Sequence, residues 1–419
     1  MYSHLPATLL HLLLVLPSLG PNGAVSALPS LNFSGVSIPS LWNGDRRDAG
    51  WSSLFPHAAS SHGFRVKRGS SASGSSSFEY DQNGTSFLWV IQDTYEGQSF
   101  FDRFGFYSDL DPTHYVNSST AFSSGLAYVT NDNKVIMKGD NTTWLPQGTD
   151  RSSVRVSSYA QYNTGLFILD VDRAPWGCGV WPAFWTLGGG TWPYTGEIDI
   201  VEGVHDNQHN QVTWHTGENC SLTPSANFTG TVVQTNGQDN LDCYGNSNNN
   251  AGCGITEWSR ASYGPTFDAQ GGGVFAMKWD DEGIAVWSFY RAAVPADVVS
   301  GQPDPSGWPE PVAALDPAGC DPITNFVNHS IVFDITFCGD WAGNSYATSG
   351  CPGTCAERLM DPSNFVNASW IINSLKVYKK QIISGRVSGA ISQLSSPSLS
   401  VLLGSTLLFA GLSLLGLVL

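Results

Sequence analysis

The chain has 419 residues, of which only 13% are charged, with 19 Lys and Arg against 35 Asp and Glu. A net charge of −16 excludes nucleic acid as a partner, because phosphate binding needs a basic surface; it also repels acidic polymers at long range and leaves neutral ones free to approach. With 45 Gly, 23 Pro and 12% aromatic residues, the composition suits a turn-rich all-β fold rather than a helical bundle.

Residues 7–19 hold an apolar run from Ala7 through Leu16, too short to span a bilayer, and the small residues Ala24, Ser26 and Ala27 follow. Residues 1–27 therefore read as a secretory signal peptide. Residues 28–77 lack periodicity and read as a linker or pro-segment; Lys67-Arg68 before the Gly69–Ser75 stretch is either a processing site or an exposed linker. Sequons at Asn32, Asn83, Asn117, Asn141, Asn219, Asn227, Asn328 and Asn367 agree with secretion and are expected to carry glycans. The folded domain is predicted over residues 78–378. Within it, Gly273–Trp279 and Ile284–Tyr290 are β-rich runs joined by the turn Asp280-Asp281-Glu282-Gly283. In Ser330–Phe337, Ile331, Phe333, Ile335 and Phe337 share one face, and Ser369–Tyr378 alternates again. No long stretch has a helical period, so an antiparallel β-sandwich is expected.

Eight cysteines, an even count in an oxidising compartment, predict disulfides: Cys178, Cys220, Cys243, Cys253, Cys320, Cys338, Cys351 and Cys355. A zinc site at Cys351 and Cys355 would lack two further ligands at usual spacing. Residues 379–398 read as a spacer and 399–419 as an apolar tail with no basic residues after it. Small triplet Ser388-Gly389-Ala390, spacer and tail form the pattern of a GPI-attachment signal with Ser388 as the lipid-bearing residue; a tail-anchored helix is the alternative. The expected location is the outer face of the cell membrane or the cell wall, and the expected state is a monomer.

The chemistry concentrates in Gly177–His215. In Glu197-Ile198-Asp199-Ile200-Val201-Glu202, a regular strand would put Glu197 and Asp199 on one face and Glu202 on the other. One β-bulge at Ile200 or Val201 would return Glu202 to the side of the other two acids. Three acids on one patch repel, which favours keeping a proton on at least one of them. Glycoside hydrolysis needs that state: one carboxylate bare to attack the anomeric carbon, one protonated to release the leaving oxygen. A half-exposed strand or a carboxylate calcium site would show the same acids. Trp181-Pro182-Ala183-Phe184-Trp185, Trp192-Pro193 and Trp214-His215 surround them, and tryptophan is the expected lining of a saccharide groove.

These two runs, Gly177–Trp185 and Trp192-Pro193-x-x-Gly196 through Gly203, resemble the fungal laminarinase-type branch of glycoside hydrolase family 16. Asp111–His114, Gly271–Val274, Asn328–Ile335 and Phe337–Gly343 are similar to segments of that group, and the likeness covers about residues 89–378. The resemblance implies a β-jelly-roll of two curved sheets with a glucan groove on the concave side, and retention of anomeric configuration. It implies Glu197 as nucleophile, Glu202 as general acid/base, and Asp199 between them, hydrogen-bonding the nucleophile. It implies His215 beside the acid/base and Trp185, Trp192 and Trp341 in the groove. No cofactor is implied for the reaction; relatives carry a structural calcium ion on the convex face. The five-residue interval from Glu197 to Glu202 is of the bulged type and points to endo-β-1,3(4)-glucanases. Residues 28–88 and the Asn246–Gly254 insertion match nothing in the family pattern. Three functions follow for a β-glucan partner: an endo-hydrolase, a cell-wall transglycosylase using the same intermediate, and a non-catalytic glucan-binding wall protein.

Overall fold

The computed structural model describes residues 79–383, apart from 82–83, 112 and 261, all within the compact unit Gly74–Leu419. The signal peptide, Lys67-Arg68, Asn32, Asn83, Ser388 and the apolar tail lie outside the described residues.

Two antiparallel sheets dominate. The eight-stranded site sheet runs, edge to edge, Thr231–Val232, Cys253–Thr256, Gln211–His215, Glu197–Glu202, Val180–Gly188, His329–Phe337, Arg155–Tyr162 and Phe104–Phe106. The nine-stranded outer sheet is built around Ser369–Ile382, which pairs with Ser86–Tyr95 on one side and Gly165–Arg173 on the other. That strand runs to Ile382, through the first residues of the stretch read as a spacer. Gly165–Arg173 pairs in turn with the hairpin Gly273–Asp280 and Gly283–Tyr290, the hairpin expected from two β-rich runs and their turn. At its turn Gly283 has φ +128°, and a Cβ there would meet the Leu315 carbonyl at 2.7 Å, so only glycine closes the loop at this spacing. Among the described residues helices are short, the longest α-helices having six residues.

Alternation decides which side chains enter the core. Phe184, Ile198 and Phe333 of the site sheet face Phe167, Leu169, Phe275 and Trp370 of the outer sheet, all nearly or fully buried. Phe333 stacks on Phe184 at 4.7 Å and meets the edge of Trp370 at 5.5 Å. Trp370 donates its buried indole N–H to the Asp334 carbonyl at 3.0 Å, so a polar atom between the sheets is satisfied. The outer sheet's other face carries a second apolar layer, Phe87, Trp89, Ile168, Trp287, Phe289 and Tyr378, against which Trp308 packs.

All eight cysteines pair: Cys178–Cys351, Cys220–Cys320, Cys243–Cys253 and Cys338–Cys355. The first and last tie down the segment that carries Trp341. Of the described sequons, Asn117, Asn219, Asn227 and Asn328 are exposed, and Asn141 and Asn367 are half-buried.

Candidate active site

The strand Glu197–Glu202 is bulged where its acid spacing requires. Asp199 pairs with Thr213 and Glu202 with Gln211, so Ile200 and Val201 together oppose the single residue Val212. On the other side Val201 pairs with Phe184 and Asp199 with Trp185, which leaves Ile200 as the extra residue. Ile198, Ile200 and Val201 are all fully buried. Glu197, Asp199 and Glu202 consequently line one cleft of about 270 Å³, together with Tyr115, Arg155, Trp181, Trp185, Asn250 and Asp334 among others.

Each glutamate holds one tryptophan N–H. Trp192 donates to Glu197 Oε2 at 2.7 Å and Trp181 to Glu202 Oε1 at 2.8 Å. Burial pushes the Glu197 carboxyl up to about 7; the Asp199 charge adds to this, while His215 and the Trp192 bond oppose it. Burial, then the Asp199 charge, holds Glu202 well above the usual carboxylate range. Two buried acids that share their surroundings in this way cannot both be ionised at little cost, so the pair keeps a proton.

Asp199 differs from expectation in its partner. Its Oδ2 lies 3.4 Å from His215 Nε2, which also stands 3.9 Å from Glu197 Oε1, so the histidine rather than a carboxyl–carboxyl hydrogen bond links the two acids. The cause is cross-strand register: Glu197 lies opposite His215. Burial alone would push this imidazole down, but contact with Asp199 and the charges of Glu197, Asp199 and Glu202 raise it to about 9. The imidazolium thus sits among three acids.

The expected groove tryptophans take distinct places. Trp185 lines the cleft but is only 8% exposed; its N–H goes to Asp334 at 3.2 Å and the Arg155 guanidinium lies 4.9 Å from its ring, so it offers an edge more than a face. Trp341 stands edge-on to Trp181 at 6.0 Å. Burial raises Asp334 to about 6, against the nearby Arg155.

Several site residues have no place in the sequence reading. Trp181 belongs to the tryptophan run expected around the acids, but its bond to Glu202 was not foreseen. Arg155 and Asp334 come from strands distant in the chain. Asn250 belongs to the insertion that matched nothing, and Gly252 of the same loop packs so closely on His215 that a Cβ would stand 2.7 Å from the ring. Asn210, fully buried, clamps the bulge: its Oδ1 accepts the Glu202 N–H and its Nδ2 donates to the Ile200 carbonyl, both at 2.9 Å.

Asn210 is itself seated through its own backbone: its carbonyl accepts the Glu257 N–H and its N–H donates to the Ser262 hydroxyl. Burial raises Glu257 to about 7, with Ser288 and Ser262 bonds opposing. A carboxyl whose folded pKa lies above its unfolded value of 4.5 supports the fold fully below 4.5 and loses that support as pH rises to about 7. Glu257→Gln is therefore expected to gain stability relative to wild type between pH 4 and pH 8, by about 3 kcal/mol. Paired thermal melts at the two pH values check this; a constant difference between the proteins contradicts it.

Calcium takes six to eight oxygen ligands. Among the described residues, the sets of three ionisable side chains close enough to share an ion are Glu197–Asp199–His215 and Cys178–Asp206–Cys351. The first is the acid cluster itself and the sulfurs of the second form a disulfide, so neither fits the implied structural calcium ion.

A family model described as "XgeA-like, catalytic GH16 domain" matches residues 104–378. A probable glycosidase of Schizosaccharomyces pombe is 45% identical over 294 residues, 68% of each chain. A probable endo-1,3(4)-beta-glucanase of Aspergillus clavatus is 38% identical over 306 residues, 70% of this chain and 46% of that one, so the chain spans about half the length of that relative. Laminarinase 16A from Phanerochaete chrysosporium, solved with beta-glucans in donor and acceptor sites, matches at a TM-score of 0.65 and 38% identity over 70% of this chain and 100% of its own. An elongating family 16 beta-1,3-glucosyltransferase matches at 0.64 and 38%, with the same coverage.

Proposed function

The chain belongs to glycoside hydrolase family 16, and from that premise we propose that it is a retaining, endo-acting β-glucanase that cuts β-1,3- or mixed β-1,3/1,4-glucans. The observation that carries this reading is the convergence of Glu197 and Glu202 on one cleft, each with an indole N–H and both with raised pKa values. Glu197 attacks the anomeric carbon as a bare carboxylate. Glu202 gives its proton to the leaving oxygen, and a glycosyl ester forms on Glu197. Glu202 then takes a proton from water, which releases the sugar with its configuration retained. Asp199 and His215 hold the charge balance between the two, and the scheme calls on no cofactor.

Wild-type protein incubated with laminarin and barley β-glucan is expected to release oligosaccharides of several lengths. Absence of new reducing ends from every β-glucan would overturn the reading. The similarity to an elongating glucosyltransferase favours one second reading, transfer of the glycosyl unit to a sugar acceptor. A labelled acceptor oligosaccharide separates the two, since only transfer puts label into longer products. The intact acid set argues against a purely binding role.

The apolar N-terminal run and the sequons support secretion, and the Ser388 triplet with its tail supports a lipid anchor at the outer membrane face or the wall. That placement, glycosylation at the sequons, a catalytic domain that starts near residue 78 and runs through the strand end at Ile382, and action as a monomer complete the proposal.

A further inference from the structure

Cross-strand register draws a straight row of residues across the site sheet. Starting at Asp199, the row passes through Trp185, Val332 and Ser157 to Gly105 on the edge strand. Cross-strand partners share a face. Phe104 and Phe106, the neighbours of Gly105, pack toward the core, so the missing side chain of Gly105 would point to the cleft side. Tyr159 fills that space. Its Cε1, hydroxyl oxygen and Cζ lie 3.2, 3.7 and 3.8 Å from where a Gly105 Cβ would stand, so the ring leans over the edge strand with its Cε1–hydroxyl edge toward the glycine. It is 71% exposed, among the most exposed aromatic rings of the described residues.

Tyrosine in a sheet normally buries its ring against a neighbour. An exposed ring whose edge rests on a glycine, in line with an acid cleft, leaves its apolar faces open to whatever extends along the row. We propose that Tyr159 is a distal sugar platform that holds the glucan chain beyond the cleft and makes the enzyme favour long substrates. The proposal rests on the glucanase reading above and adds a length requirement to it. Four strand steps of about 4.8 Å separate Asp199 from Gly105, roughly 19 Å, or about four glucose units beyond the reacting one. The intervening positions are the edge of Trp185, then Val332 and Ser157, so Tyr159 is the first broad aromatic face along this row.

Kinetics with laminaritetraose and laminariheptaose test it. Tyr159→Ala is expected to raise KM for the heptaose about five- to tenfold, the worth of one aromatic contact, with kcat and both tetraose constants unchanged. Tyr159→Trp should restore the heptaose KM. Gly105→Ala, which touches no sugar but crowds the edge of the ring, should raise it as well. An unchanged heptaose KM in Tyr159→Ala, or an equal loss on the tetraose, overturns the platform: the first shows no contact, the second a merely structural ring. Wild-type turnover with such a result leaves the glucanase reading standing; a wild-type protein inert on both oligosaccharides and on polymer removes both.

Discussion

Glu197→Ala is expected to lower kcat on β-glucans by on the order of 10⁴-fold or more, with the fold intact, and azide should restore part of the rate as the α-glycosyl azide. The shortened side chain leaves room on the face from which the carboxylate attacked, and azide entering there displaces the leaving group once, with inversion. Glu202→Ala has a different signature. An activated aryl glycoside still forms the ester on Glu197, and azide then enters from the face where Glu202 stood, giving the β-glycosyl azide. Product configuration therefore separates the two roles, and exchanged configurations would exchange them. The pH profile carries the same assignment. The productive state has Glu197 bare and Glu202 protonated, so kcat/KM should fall as pH drops below about 7 and fall again as Glu202 deprotonates at higher pH. Because the Asp199 charge raises both groups, Asp199→Asn should move both limbs to lower pH. Limbs that stay in place would remove Asp199 from the balance.

The acid strand was legible because its chemistry is local. Glu197, Asp199 and Glu202 sit within six residues, and a five-residue interval between two acids that must share a face admits little but a bulge. The hairpin at Asp281-Glu282 and the alternation of Ser330–Phe337 were legible for the same reason: period and turn chemistry are short-range signals. What the sequence hid depends on pairing between distant segments. Arg155 reaches Trp185 across the intervening strand His329–Phe337, and Trp185 in turn holds Asp334. Resemblance put His215 beside the acid/base Glu202, whereas register sets it opposite Glu197 and against Asp199, a matter of which residue faces which across the paired strands. The insertion Asn246–Gly254 carries no periodic signal, yet its Asn250 lines the cleft, because Cys243–Cys253 and the Gly252 contact with His215 seat the loop there.

Asn210 is the residue whose loss should most separate stability from chemistry. It does not line the cleft itself; its amide answers the two backbone groups that the bulge takes out of the ladder, the Glu202 N–H and the Ile200 carbonyl. Asn210→Leu keeps the size of the side chain and removes both bonds, leaving two buried polar groups unpaired at about 1–3 kcal/mol each. The variant should melt well below wild type, and the strand should relax toward regular pairing, which turns Glu202 away from the leaving oxygen. A displacement of about 1 Å at an acid/base costs about 10²-fold in rate, so kcat at a temperature where both proteins are folded should fall by that order. The loss should be much smaller on an aryl glycoside with a good leaving group, because departure there needs little protonation. Asn210→Asp retains an acceptor for the Glu202 N–H, loses the donor to Ile200, and adds a charge near three acids, so it should lie between wild type and Asn210→Leu in melting while raising the alkaline limb of the pH profile. Equal rate losses on activated and natural substrates would mean that Asn210 supports the fold without aiming Glu202.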